Sequence, residues 1–175
     1  KENLRRLEIA VSDRSEGEVL FYSSGTTGRP KLIRYSRNDL NRVADLCARF
    51  CDLEGIKRGT KVMVLLPMAL WAVGQITVLG LRRAGAHVFP VDVQGGVDAW
   101  QRWAETIQPD VISSTPSVLA RWARYYSGPP QALVETTGEP LLSDERALIE
   151  SAFGGRVYDA YGLSECVVGV ECQRA

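Results

Sequence analysis

Residues 62–81, VMVLLPMALWAVGQITVLGL, carry no charge over about the length that crosses a bilayer. Whatever the chain folds into must hide this run, either in lipid or in a protein core. Pro67 argues for the core, because a proline inside such a run breaks it into a short β-branched strand, KVMVLL, and a separate apolar helix from Trp71 to Arg83. A strand with so few polar positions is expected where a parallel sheet is covered on both faces.

The segments around this run repeat the same unit. Ser36 with Asp39 three residues on reads as a capping box, and Leu40, Val43, Ala44, Cys47, Phe50 and Cys51 then fall on one face of an amphipathic helix. Gly55 and Gly59 flank a turn, Gly85 ends the apolar helix, and AHVFPV is the next strand. Residues 97–107 read as a helix carrying Trp100, Trp103 and Ile107, DVISS as a strand, and Thr115-Pro116 as an N-cap followed by proline at the first helical position. SGPP stops that helix near residue 127. ALVETT is a strand, Ser143 caps a helix with Asp144 and Glu145 in its first turn, Gly154 and Gly155 end it, and RVYDAYG is the last strand. This alternation predicts an α/β fold, a mostly parallel, doubly wound sheet with helices on both faces. The tryptophans at 71, 100, 103 and 122 stand at helical spacings and read as packing residues.

The chain has 175 residues, with 21 basic and 21 acidic side chains. It has no excess of Lys and Arg with which to build a general nucleic-acid or anionic-membrane surface, so a small molecule is the expected partner. Cys47, Cys51, Cys166 and Cys172 form no Cys-x-x-Cys pair, and one histidine, His87, is present to share a metal. A structural zinc site is not expected from that spacing. Reduced thiols and a cytoplasmic location are expected instead, since KENLRRLEIA lacks the apolar stretch of a secretory leader.

The loop in FYSSGTTGRPKLIRY, residues 21–35, is where chemistry enters. Ser23, Ser24, Gly25, Thr26, Thr27 and Gly28 offer hydroxyl donors and backbone N–H groups that glycine lets point inward, a nest suited to phosphate oxygens. Arg29 and Lys31 would add the positive charge that anion binding requires. The competing reading is a hairpin loop rich in turn formers. The Walker pattern is excluded because Pro30 stands where its second glycine belongs, and the dinucleotide pattern because the loop precedes a strand instead of opening a helix.

YSSGTTGRPK resembles the phosphate-binding signature of the adenylate-forming superfamily, which includes acyl-CoA synthetases, aryl-CoA ligases and peptide-synthetase adenylation domains. YGLSE, residues 161–165, resembles that superfamily's aromatic-Gly-x-Ser/Thr-Glu motif, and TTGEPL, residues 136–141, its adenine-contacting strand end. The finer match, through SSGTTG, TPS at 115–117, GEP followed by LSDE, and YGLSE running on to VECQ, is to the phenylacetate-CoA ligase branch. The resemblance covers the chain from about residue 16 to its end.

It implies that the fold is part of a large N-terminal adenylation domain spanning residues 1–175, with a ribose-binding aspartate, a hinge and a C-terminal domain with its lysine expected beyond Ala175. It also implies site residues. The loop 23–28 with Lys31 would hold the β- and γ-phosphates of ATP, and Gly138, Glu139 and Pro140 would approach the purine edge. Tyr161 with Gly162 would stack on the adenine, Ser164 would hydrogen-bond the α-phosphate, and Glu165 would bind Mg²⁺ between the phosphates. As bare sequence features, a tyrosine at a strand end is a core-rim aromatic and a glutamate a solvated surface charge. His87, expected on a strand inside the sheet, reads as a core or rim histidine in preference to a catalytic base, with a place in the acyl pocket as the alternative.

The implied reaction needs no protein nucleophile. A carboxylic acid, aryl or related and small, would be activated by ATP as an acyl adenylate and passed to a thiol such as coenzyme A, with Lys31, Ser164 and Glu165 as the catalytic groups. The partners expected are that acid, ATP and coenzyme A, with no nucleic acid and no membrane. The alternative is a non-catalytic nucleotide-binding module or an interaction fragment derived from such an enzyme.

Overall fold

The computed structural model describes residues 18–23 and 32–172. The expected alternation appears as β3 (Lys61–Leu65), α2 (Ala72–Ala84), β4 (His87–Pro90), a 3-10 turn (Val93–Gly95), α3 (Gly96–Ile107), β5 (Val111–Ser114), α4 (Pro116–Ala123), β6 (Leu133–Thr137), α5 (Ser143–Phe153) and β7 (Arg156–Leu163). It is preceded by β1 (Glu18–Tyr22), β2 (Leu32–Ser36) and α1 (Arg37–Glu54), and followed by β8 (Cys166–Val170). No helix among the described residues is long and apolar enough to cross a membrane, and the uncharged run is split at Pro67 into β3 and α2 as expected.

Six strands form one sheet in the order β4-β3-β5-β6-β7-β8, parallel except for β8. The winding reverses at β3, since β4 lies to one side of it and β5, β6 and β7 follow on the other. Right-handed crossovers then send α2 to one face and α3, α4 and α5 to the opposite face. The packing agrees. Met63, Leu65, Ile112, Val134 and Val157 meet Trp100, Trp122 and Phe153 on one side, whereas Val62, Val64, Val111 and Leu133 meet Cys51 and Leu81 on the other. Trp122 centres the first layer, edge-on to Trp100, Tyr126 and Phe153 at 6.1, 5.3 and 5.4 Å between ring centres.

The antiparallel β1–β2 hairpin, paired from Glu18↔Ser36 to Tyr22↔Leu32, packs Phe21, Ile33 and Tyr35 against Val43, Ala72 and Ile76. At its end the Tyr22 N–H donates to the Leu70 carbonyl at 2.9 Å, which ties the end of β1 to the stretch leading into α2.

Several expectations change. RVYDAYG is not the last strand, because β8 folds back antiparallel on β7 across an irregularity at Tyr161/Gly162. His87 lies on β4, an edge strand, where it is exposed opposite Lys61. Helix α4 ends at Ala123, not near residue 127, because Tyr126 turns inward onto Phe153, 4.3 Å between ring centres, and its hydroxyl donates to the Pro129 carbonyl at 2.7 Å. The cap of α5 is Leu142, with Ser143 already helical. Leu142 donates its N–H to the Glu145 carboxylate at 3.3 Å, which supplies the carboxylate half of a capping box. Trp100 and Trp122 are packing residues, but Trp103 is 51% and Trp71 38% exposed.

Candidate functional site

The carboxyl ends of parallel strands, next to a reversal of winding, are where open α/β sheets hold ligands. Here the ends of β5, β6 and β7 and the β7–β8 turn face α1 and the first half of α2 across a cavity of about 320 Å³. Two of the sequence motifs meet on it: Gly138 and Glu139 from the end of β6, and Tyr161, Gly162 and Ser164 from the end of β7.

Local physics explains each placement. Gly138 has φ 84°, the left-handed region that glycine adopts without penalty, and this turns the chain sharply out of β6. The Glu139 carboxylate then accepts the Ser117 N–H at 3.1 Å, which ties the turn to the first turn of α4, where free N–H groups and the helix dipole favour an acid. Tyr161 stands at the β-bulge, 61% exposed, so its ring is presented at the cavity instead of being buried in the core. Ser164 is fixed from across the molecule by Tyr35 of β2, whose hydroxyl donates to the Ser164 carbonyl at 2.9 Å. Burial, with Cys166 and Glu165 nearby, pushes the Tyr35 hydroxyl up to about 12, so it stays a donor.

Pro140 is exposed just past the cavity wall, and Glu165 is exposed at the tip of the β7–β8 turn beside Ser164. Ser23 follows directly on β1. Ser24, Gly25, Thr26, Thr27, Gly28, Arg29 and Lys31 lie outside the described residues. His87 is not part of the cavity lining, being at the opposite, amino end of its strand.

The inner wall is apolar, with Cys47, Phe50 and Cys51 from α1 and Trp71, Ala72, Val73, Ile76 and Leu81 at and within α2. One acid breaks it. Glu135 projects from the centre of β6 into the lining, and Glu54, the last residue of α1, is buried close by. Both Glu54 carboxylate oxygens, Glu135 Oε2 and the Ser113 hydroxyl are sealed from solvent without a hydrogen-bond partner among the described residues. Each such orphan costs about 1–3 kcal/mol.

Burial raises both carboxyls above the ordinary carboxylate range, and Glu54 is raised further by Glu135 beside it. Ser113 is near enough to favour the charged form of Glu135, though the two make no hydrogen bond of good geometry. Burial first, then these acids, also pushes the Cys47 thiol up to about 12 and raises that of Cys51, so neither is a ready nucleophile. Among the described residues no three His, Cys, Asp or Glu side chains group to hold a metal by themselves.

Sequence reasoning did not single out Tyr35, Glu135 or Glu54. For Glu135 a signal was present: a single acid amid the β-branched residues of a central strand, at the wrong place for a solvated charge. Glu54 gives no such signal, because an acid at a helix end is ordinary in sequence.

The fold is a doubly wound α/β sheet with a cavity at its carboxyl edge, and comparison with known proteins gives its family. The family described as AMP-binding enzyme matches residues 8–175, and the chain belongs to that family. It is 33% identical to a phenylacetate-coenzyme A ligase of Pseudomonas putida over 163 residues and 31% identical to that of Escherichia coli K12 over 161 residues. These alignments take in 87% and 86% of the chain and 37% of each ligase, so the chain spans a little over a third of the length of these relatives. Among solved structures, an open conformation of 2-hydroxyisobutyryl-CoA ligase in complex with 2-HIB-AMP and CoA matches 87% of the chain and 37% of its own, with TM-score 0.77 and 26% identity. An anthranilate CoA ligase in complex with anthranoyl-AMP shares the fold at TM-score 0.74 and 20% identity.

Proposed function

We propose that the chain is part of the N-terminal adenylation domain of a longer acid–thiol ligase, which activates a small carboxylic acid, aryl or related, with ATP and Mg²⁺ and passes the acyl group to a thiol such as coenzyme A. The observation that carries this reading is the meeting of Gly138–Glu139 with Tyr161–Ser164 on one cavity at the carboxyl edge of the sheet. The preference for an aryl acid is supported by relatives described as ligases of phenylacetate and of hydroxybenzoates.

In this reading Tyr161 stacks on the purine, its edge meets the backbone after Gly138, and Ser164 hydrogen-bonds the α-phosphate. The acid lies in the apolar part of the cavity. The exposed Glu165 carboxylate, at the turn beside Ser164, fits Mg²⁺, which takes one or two carboxylates together with phosphate oxygens. When bound, the metal supplies charge neutralisation at the phosphates.

The acid's carboxylate oxygen attacks the α-phosphorus, a new O–P bond forms, and the bond to the β-phosphate oxygen breaks with its electron pair leaving on pyrophosphate. A thiol then attacks the acyl carbon, loses its proton and displaces AMP. The protein contributes positioning and charge stabilisation, with the loop 23–28 and Lys31 assigned to the departing phosphates.

Calorimetric titration of the full-length protein with an uncleavable acyl-sulfamoyl adenosine tests the site. Tight binding that Tyr161→Ala weakens by about 10- to 100-fold is expected, the usual worth of base stacking on an aromatic ring. Binding untouched by Tyr161→Ala and by Gly138→Val would place the nucleotide elsewhere.

A further inference from the structure

The acid on the apolar wall, Glu135, has no part in adenylate formation as set out above, and that is what makes it informative. We propose that Glu135 selects the acid substrate: the ligase takes acids that carry a hydroxyl or amino hydrogen-bond donor on the part of the molecule remote from the reacting carboxylate, in preference to their unsubstituted counterparts. The inference rests on the acid-activation reading given above.

Three observations carry it. First, position: Glu135 lies three residues before Gly138 on the same strand, roughly 10 Å deeper at strand rise, so it meets the inner end of a ligand whose reacting end is at the turn. Second, chemistry: the wall that α1 and α2 supply is apolar apart from the thiols of Cys47 and Cys51 and the hydroxyl of Thr77. A carboxyl there is an acceptor set against an otherwise oily surface. Third, satisfaction: Glu135 Oε2 and the neighbouring Ser113 hydroxyl find no partner among the described residues, and neither does Glu54 behind them.

Buried polar atoms are left unpaired in folded proteins only rarely. Of these three residues Glu135 lines the cavity and is only partly buried, so its carboxyl is where a ligand reaches the cluster, with Glu54 and Ser113 sealed behind it. No Lys, Arg or His stands among the described residues that line the cavity. A substrate donor would pair with the Glu135 carboxyl at the cavity wall. An acid without it would cover the Glu135 carboxyl without pairing it and be rejected, the asymmetry that makes sites built to hydrogen-bond a substrate strongly selective.

The test is acid-dependent ATP–pyrophosphate exchange by the full-length protein. It uses benzoate and phenylacetate and their hydroxyl- and amino-substituted forms at each ring position. Wild type, Glu135→Gln and Glu135→Leu are compared. At least one substituted acid is expected to exceed its parent by about 100-fold or more in kcat/KM. Glu135→Gln, which keeps an acceptor oxygen, should retain part of that ratio, and Glu135→Leu should reverse it. If Glu135→Leu does not fold, the wild-type ratio and Glu135→Gln decide. Exchange in which the parents equal or exceed every substituted acid, or a ratio that Glu135→Leu leaves unchanged, overturns this inference while leaving acid activation standing. No exchange with any acid overturns both.

Discussion

Glu165→Gln keeps the shape of an exposed side chain at the β7–β8 turn and removes its charge, so it separates metal binding from folding. Thermal stability should change little, as for most surface substitutions, whereas pyrophosphate exchange at limiting Mg²⁺ should fall by about 100-fold or more, the usual cost of losing an electrostatic group at a phosphate. A variant with normal exchange at limiting Mg²⁺ would remove Glu165 from the metal site. Tyr35→Phe leaves the edge-on packing against Phe21, 5.4 Å between ring centres, and deletes only the bond to the Ser164 carbonyl. It should cost about 1 kcal/mol in denaturant unfolding and raise the KM for ATP, and an unchanged KM would mean that Ser164 does not need this tether. Glu54 makes a pH prediction. Its folded carboxyl is raised above its unfolded value near 4.3, so the folded chain keeps a proton that the unfolded chain has released. Stability is then greatest below that unfolded value, falls as pH rises towards the raised native value, and levels off above it. Glu54→Gln should flatten this decline and raise the melting temperature at neutral pH; a steeper decline in the variant would show that the buried acid is stabilising when charged.

Helices α1 and α2 meet so closely that a methyl group on Gly80 would collide with Cys47 Cβ, whereas one on Gly169 of β8 would meet open space. Gly80→Ala should therefore destabilise by about 1–3 kcal/mol, and Gly169→Ala should have little effect, both read from urea unfolding. Because Cys47 also lines the cavity, Gly80→Ala should raise the KM for the acid as well. What makes α1 and α2 legible in sequence is local: the Ser36–Asp39 capping box, with bonds of 2.9 and 3.1 Å, and left-handed glycines at 55 and 85 are written into a few neighbouring residues. The strand alternation is legible for the same reason. What was missed depends on partners far along the chain. β8 is short and acquires its identity by pairing with β7, the edge position of β4 follows from strand order, and α4 stops where Tyr126 finds Phe153. The motif residues of the site were readable in YGLSE and TTGEPL, but the Tyr35 tether and the Glu54–Glu135 pair join segments that only the folded sheet brings together.

The two apolar layers on the sheet faces and the hairpin cluster give the described residues well-packed cores, so the isolated chain should fold at least in part. Given ATP, Mg²⁺, coenzyme A and the acid, it should not complete the ligation at a comparable rate to the full-length protein if, as proposed, it is one part of a longer ligase, since a site left open admits water. Acyl-CoA formed by the isolated chain at a comparable rate would show that the described fold suffices for both steps. Acid activation itself is tested most directly by isotope exchange between pyrophosphate and ATP, catalysed by the full-length protein with a panel of aryl, acyl and amino acids. Exchange that requires both a carboxylic acid and Mg²⁺, and that is strongest with a small aryl or related acid, is the result expected here. A folded, ATP-binding protein that exchanges no pyrophosphate with any acid on the panel would contradict it.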